Sequence, residues 1–257
     1  MDHHAIIREE FARQAETFGQ APAVAKKGEA ERVVEALGEA RRGRVLDLAC
    51  GPGLLAEALG RDAREVVAFD LTPEMLDQAR ARCERAGLTN VRFRQGRAEA
   101  LPFADGEFDG AVTRLSLHHF PDPGLPLREM ARVLRPGGTA AVADLVASED
   151  PEEAALHNAL ENLRDPSHTR ALPRSELLAL HRQAGFELLA ETGWETLREF
   201  GEWAEIANSP ARTSSVRAVM EALARRGARA GIDLRLEGGR LTFLHRWVLL
   251  TVQKTGR

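Results

Sequence analysis

Two short stretches of the chain carry groups suited to chemistry. In "VLDLACGPG" (45–53) an apolar run bears Asp47 and closes on a glycine turn, and in "RLSLHHF" (114–120) His118 stands beside His119. The turn raises the matter of a nucleotide. Gly51-Pro52-Gly53-Leu54-Leu55-Ala56 satisfies the G-x-G-x-x-G/A fingerprint, whose glycines admit a ligand close to the backbone, and Asp70 stands near the spacing of an acid that accepts ribose hydroxyls. Two residues oppose a pyrophosphate there. Pro52 has no N–H and so removes a donor from a phosphate cradle. Asp47 adds a negative charge that favours a cation. A ligand joining a nucleoside to positive charge suits the turn, and S-adenosyl-L-methionine, with its adenosine, sulfonium and ammonium and no phosphate, has that chemistry. The alternative is that the glycines only tighten a strand-to-helix turn.

The histidine pair follows a candidate strand, at the edge where α/β sheets bind ligands. Neighbouring side chains of extended backbone point to opposite faces, so one ring is expected to face the site. His119 is the candidate, as a general base near neutral pH or as a residue that packs on the cofactor, and His118 is expected to be structural. No metal site is expected, because adjacent histidines have poor ligand spacing and no Cys or acidic partner accompanies them.

These residues need a sheet to hold them. From residue 44 to 146, short apolar runs alternate with helical patterns, which predicts β-α-β units and a mostly parallel sheet. The strands are expected at 44–49, 65–70, 91–95, 108–115 and 139–146, with two more near 187–192 and 241–252. The helix after Asp70 is punctuated by Thr72 as N-cap, Pro73 in the first turn and Gly87 after its end, with Met75, Leu76, Ala79 and Cys83 on its apolar face. Leu127, Met130, Ala131 and Leu134 mark the inner face of a later helix. Beyond 150 the sequence becomes helical and charged, with Leu156, Leu160 and Leu163 expected inward. The expectation is an α/β, doubly wound, Rossmann-like fold whose seven-stranded, mostly parallel sheet has an antiparallel last strand. Residues 1–43 form an N-terminal helical lid segment in this reading, with Phe11 and Phe18 as lid residues. Residues 44–257 form the core, with cap insertions at about 151–172 and 197–232.

Composition narrows the partners. The 257 residues are enough for a sizeable core, and a net charge of −4 gives no basic field for nucleic acid. Two cysteines, Cys50 and Cys83, are too few for a disulfide framework or a Cys-based zinc site, which fits a reducing compartment. No run approaches the ~18 apolar residues of a membrane span, so the expected place is the cytoplasm.

"VLDLACGPG" (45–53), "VVAFDLTPEML" (66–76), "GRAEALPFADGEFDGAVTRLSLHHFPDP" (96–123) and "EMARVLRPGG" (129–138) together resemble successive motifs of class I S-adenosylmethionine-dependent methyltransferases, most of all the small-molecule branch related to the ubiquinone and menaquinone C-methyltransferases. The resemblance covers about residues 30–148. It implies that Asp47 and the backbone of Ala49, Cys50, Gly51 and Gly53 hold the methionine and ribose, and that Asp70 accepts both ribose hydroxyls. It further implies that Leu71 and Met75 pack on adenine, that Ala98 and Glu99 address the adenine edge, and that the Arg114 carbonyl receives the ammonium. Many relatives carry Asp where this chain has Arg97, which cannot accept a hydrogen bond; Glu99 or backbone would replace it. In the cap, Arg164, His168 and Arg246 are candidates for substrate recognition, Arg being suited to a carboxylate or enolate. A capping and salt-bridge network around Pro166 is the other reading. The implied activity is methyl transfer to O, N or C of a small molecule. A non-catalytic binder of the same cofactor is the alternative, and a short-chain NAD-dependent oxidoreductase is opposed by the absence of any Tyr.

Overall fold

A computed structural model describes residues 2–18 and 28–256. In chain order the helices are α1 (His3–Phe18), α2 (Glu29–Glu35), α3 (Leu54–Gly60), α4 (Pro73–Arg85), α5 (Gly124–Val133), α6 (Pro151–Arg164), α7 (Arg174–Gln183), α8 (Phe200–Ile206) and α9 (Pro210–Arg225). The strands are β1 (Arg44–Leu48), β2 (Glu65–Asp70), β3 (Val91–Gln95), β4 (Phe108–Arg114), β5 (Leu134–Ala147), β6 (Leu172–Pro173), β7 (Phe186–Glu199), β8 (Arg235–Glu237) and β9 (Arg240–Lys254). Part of the expected lid segment, residues 19–27, lies outside the described residues.

Seven strands form one sheet in the order β3-β2-β1-β4-β5-β9-β7, and the short β6 and β8 pair with β5 and β9, so the sheet has nine strands where seven were expected. β1 to β5 pair in parallel, and β9 lies antiparallel to both β5 and β7. The apolar runs are near-continuous because both faces of the sheet are covered. Leu46, Leu48, Val67 and Phe69 point into the cluster under α5 and α7, whereas Val45, Val66 and Ala68 point into the cluster that includes Val33, Leu55, Leu76 and Cys83. Val45 pairs with Val66 and Leu46 with Val67, so alternate positions of neighbouring strands feed the same layer.

β7 is longer than expected and runs through residues 197–199, so the strand occupies the start of the expected second insertion. The cap segments share a core of their own, in which Leu160 meets Phe200, Trp203, Val216, Met220, Ile232 and Phe243. α6 begins on Asp150, whose carboxylate accepts from the N–H groups of Glu152 and Glu153 (2.9 and 3.0 Å). Its inward face carries Ala154, His157, Leu160 and Glu161, while Leu163 is turned out and 46% exposed. Around α4, Pro73 occupies the first turn and Gly87 takes a φ of 71°, but Thr72 makes no capping hydrogen bond through its side chain. The Thr72 N–H donates instead to Asp70 Oδ1 (2.9 Å).

Candidate active site

The chain leaves β1 toward β2 on one side and returns to β4 on the other, so a crevice opens beyond the carboxyl ends of β1 and β4. Both strands end on a strained residue there. Ala49 and Leu115 each have φ 55°, a left-handed conformation that a residue with a Cβ rarely adopts. Each costs on the order of 1–3 kcal/mol, and such outliers gather where backbone must be aimed at a ligand.

The crevice is a cavity of about 920 Å³, counting space open to solvent, and its wall includes Asp47, Ala49, Cys50, Gly51, Asp70, Leu71, Met75, Ala98, Glu99, Arg114 and His119. Gly53 alone among the expected cofactor residues is absent from the wall. Its role is packing: a Cβ there would lie 2.7 Å from the Ala79 Cβ on α4, and its φ is 81°. α1 covers the cavity with Ile7, Phe11 and Phe18 and is pinned at its start by two histidines. The His3 Nε2–H donates to the carbonyl of His119 and the His4 Nε2–H to Glu99 Oε1, both at 2.8 Å.

Two buried carboxyl groups face this space in different ways. Asp70 accepts from the N–H of Gly51 (2.8 Å) and of Thr72, so the glycine turn is tied to the end of β2. Burial pushes its pKa up against those hydrogen bonds. Asp47 is 1% exposed and its Oδ2 has no hydrogen-bond partner among the described residues. Burial, reinforced by the charge of Asp70 and opposed by the Ala56 N–H, pushes the Asp47 carboxyl up to about 8. An unpartnered buried carboxyl is costly until a cation or donor meets it. Cys50 is also buried, and burial raises its thiol well above the usual range, so it is an inert filler of the turn.

His118 and His119 sit in a 3-10 turn (Leu117–His119), not in extended backbone, so they do not point to opposite faces; their ring centroids are 4.3 Å apart. His118 Nδ1 binds Asp144 Oδ1 on β5 at 2.5 Å. Burial works against a charge on that ring, but the Asp144 carboxylate outweighs it and raises the His118 pKa. His119 Nδ1 donates to the carbonyl of Ser167 (3.0 Å), which leaves Nε2 with a lone pair. Burial first and the charge of His118 second lower the His119 pKa to about 4.

His119, Leu115 and Phe18 also border a second cavity of about 540 Å³, counted in the same way, which is walled by Gln14, His118, Glu161, Arg164, Asp165, Arg198, Trp203, His245 and Trp247 among others. Of the three expected substrate residues only Arg164 reaches it. His168 donates through Nε2 to Asn158 Oδ1 (2.8 Å), which also accepts from Ala171 N (2.7 Å), so it fastens the segment after α6 and borders neither cavity. Arg246 binds Glu195 (3.0 Å) and the Gly231 carbonyl, on the far side of β9 from the cavities.

At and behind this second wall lies a cluster that the sequence motifs do not mark. His157, Glu161 and His245 bring three ligand-type atoms within 4.8 Å of one another, all buried, although His245 is 84 residues from Glu161. Arg164 Nη2 lies 3.1 Å from Glu161 Oε2 and Arg198 Nε lies 3.4 Å from His245 Nδ1. Two guanidinium groups against the cluster oppose a further cation; Glu161 accepts from His245 and Arg164, while neither ring nitrogen of His157 has a hydrogen-bond partner among the described residues. The one available sequence signal was the i, i+4 spacing of His157 and Glu161, which puts both on the inward face of α6.

Comparison with known proteins follows the same geometry. Residues 45–138 match a methyltransferase domain family. The uncharacterised methyltransferase YcgJ of Bacillus subtilis is 37% identical over 168 residues, 65% of this chain and 66% of its own length. A malonyl-[acyl-carrier protein] O-methyltransferase of Pseudescherichia vulneris is 34% identical over 169 residues, 66% of this chain and 64% of its own. The chain thus spans just under two thirds of each of these two relatives. A crystal structure from Bacillus halodurans C-125, provisionally described as that of a methyltransferase, superposes with a TM-score of 0.82 at 30% identity, covering 88% of this chain and 99% of that one.

Proposed function

The chain belongs to the class I S-adenosylmethionine-dependent methyltransferases, and on that premise we propose that it moves the methyl group of S-adenosyl-L-methionine to O, N or C of a small molecule held in the second cavity. The observation that carries this reading is the position of His119, which borders both cavities while its Nδ1 is engaged by the Ser167 carbonyl.

The first cavity fits the cofactor on its own chemistry. Asp47 Oδ2, buried and unpartnered, suits the ammonium or sulfonium of the methionine portion. The Asp70 oxygens, each already accepting one N–H, retain a lone pair apiece for ribose hydroxyls. Leu71 and Met75 supply an apolar bed for adenine, and the backbone at Ala98, together with Glu99, borders the adenine edge. The Arg114 side chain is drawn to Glu29 (2.7 Å), and its backbone carbonyl is the acceptor that the family resemblance assigns to the ammonium. When bound, the cofactor supplies an electrophilic methyl group on a sulfonium. The protein aligns the acceptor with that methyl, excludes water through α1 and the cap, and receives at His119 Nε2 any proton the acceptor must lose. The resemblance of the four motifs to the ubiquinone and menaquinone C-methyltransferase branch supports a small acceptor, and walls contributed by α1, α6 and α8 favour a small molecule over a polymer. No helix among the described residues is long and apolar enough to cross a membrane.

The test has two parts. S-adenosyl-L-homocysteine is expected to bind in calorimetry, and no binding at millimolar ligand overturns the cofactor assignment. A labelled-methyl assay against a metabolite extract is then expected to show transfer to a small molecule; binding without any transfer overturns catalysis and leaves a sensor.

A further inference from the structure

The walls of the second cavity hold an excess of hydrogen-bond donors. Their carboxylates are already engaged: Glu161 accepts from His245 Nε2 and Arg164 Nη2, both at 3.1 Å, and Asp165 accepts from Ser167 N (2.9 Å), Ser167 Oγ (2.6 Å) and Gln14 Nε2 (3.2 Å). Against them stand Arg164 Nη1, Trp203 Nε1 and Trp247 Nε1, buried N–H groups with no acceptor among the described residues. The side-chain acceptors still open are His119 Nε2 and the amide oxygen of Gln14. Buried donors without partners are retained at a cost, and a ligand rich in acceptor oxygens removes it.

Shape adds a second constraint. Phe18, Trp203 and Trp247 give the cavity flat aromatic walls. The Trp247 ring is held in place by stacking on Trp194 (8° between planes, centroids 5.5 Å apart), and the Arg164 guanidinium lies 4.7 Å over the Trp203 ring.

We infer that the methyl acceptor is a planar, oxygen-rich organic acid, a phenol or enol bearing a carboxylate or adjacent carbonyls, with those oxygens against Arg164, Trp203 and Trp247 and its ionisable group against His119. This rests on the first cavity being the cofactor site. The charge of Glu161 does not repel such a ligand strongly, because Arg164 and His245 already face that carboxylate. A weakly basic His119 also suits acidic phenols and enols and does not suit simple alcohols or protonated amines, whose protons it cannot remove.

The experiment uses the full protein saturated with S-adenosyl-L-homocysteine and titrates it with salicylate, acetoacetate, benzyl alcohol and benzylamine. Salicylate or acetoacetate is expected to bind at least about tenfold more tightly than the alcohol and the amine. Trp203→Phe, which keeps the ring and deletes one N–H, is expected to weaken binding of the acid by about 3–10-fold, and Arg164→Gln by more than about tenfold, with the affinity for S-adenosyl-L-homocysteine unchanged in both. Acids that bind no better than the amine, or acid affinity indifferent to both variants, overturn the inference. Failure of the wild type to bind S-adenosyl-L-homocysteine overturns the cofactor reading instead, and this inference with it.

Discussion

His118 and His119, with ring centroids 4.3 Å apart, are shifted in opposite directions: Asp144 raises the pKa of the first ring, whereas burial first and the charge of His118 second lower that of the other to about 4. Removing the charge of His118 therefore raises the His119 pKa from about 4. His118→Asn, which can still donate to Asp144, is expected to move the acid limb of the kcat/KM profile to higher pH. An acid limb that stays in place separates the two rings electrostatically and removes His118 from the account.

The same pair makes Asp144 a structural anchor. It accepts from His118 and also from the N–H of Leu117 and Leu145, both at 2.7 Å, and so ties the histidine turn to β5. Its pKa is lowered, because the charge and hydrogen bond of His118 outweigh the burial that opposes ionisation. The Asp144 contribution is present above its unfolded value and is lost as pH falls through its folded one; the His118 contribution is present below its unfolded value and is lost as pH rises through its raised one. Asp144→Asn is expected to cost about 3–5 kcal/mol, as removal of one partner of a buried pair does. Urea unfolding should show a larger loss at pH 6 than at pH 9, and a loss independent of pH counts against the charged pair.

Asp47 trades stability for binding. Its folded pKa of about 8 lies above the unfolded value, so its contribution to stability is fully present only below that unfolded value and declines as pH rises toward 8. Asp47→Asn removes the titration and keeps the shape. The ligand-free variant at pH 8 is expected to melt higher by at least about 2–4 °C, the shift that 1 kcal/mol produces in a chain of this size. Its affinity for S-adenosyl-L-methionine is expected to fall by about 10–150-fold, the worth of one charge-assisted hydrogen bond. In the wild type, a cation beside Asp47 expels its proton, so cofactor affinity rises between pH 6 and 8, and calorimetry in buffers of different ionisation enthalpy reads that proton directly.

The first cavity was legible in the sequence because its parts are local. Asp47, Gly51 and Asp70 sit at ends of apolar runs, and the period of those runs gives both the strands and the side of the sheet on which the ends emerge. Gly53 was legible as a necessary glycine, but its close approach to Ala79 was not, since that neighbour is reached only through the packing of α3 on α4. The histidines depart from the alternation of extended backbone because Leu115 turns left-handed and the next residues coil into a 3-10 turn, yet of the two only His119 borders the first cavity. The second cavity was the least visible. Gln14, Asp165, Arg198 and His245 meet from four separate parts of the chain, and nothing in the local period of any one of them marks the others. Arg246, by contrast, lies next to His245 on β9 and faces the other way, as strand alternation requires.

α1 is held over the cofactor cavity by contacts that the chemistry itself would feel. His3 grips the carbonyl of His119, and His4 grips Glu99, so the start of the helix touches both the proposed proton acceptor and the proposed adenine contact. Each bond is worth about 0.5–1.5 kcal/mol, which is enough to change how long the helix stays closed but not enough to unfold the core. His3→Ala combined with His4→Ala is expected to leave the urea midpoint nearly unchanged and to raise the dissociation rate of S-adenosyl-L-homocysteine by about 5–100-fold, measured by stopped-flow displacement. A dissociation rate equal to that of the wild type shows that Ile7, Phe11 and Phe18 close the cavity by packing alone.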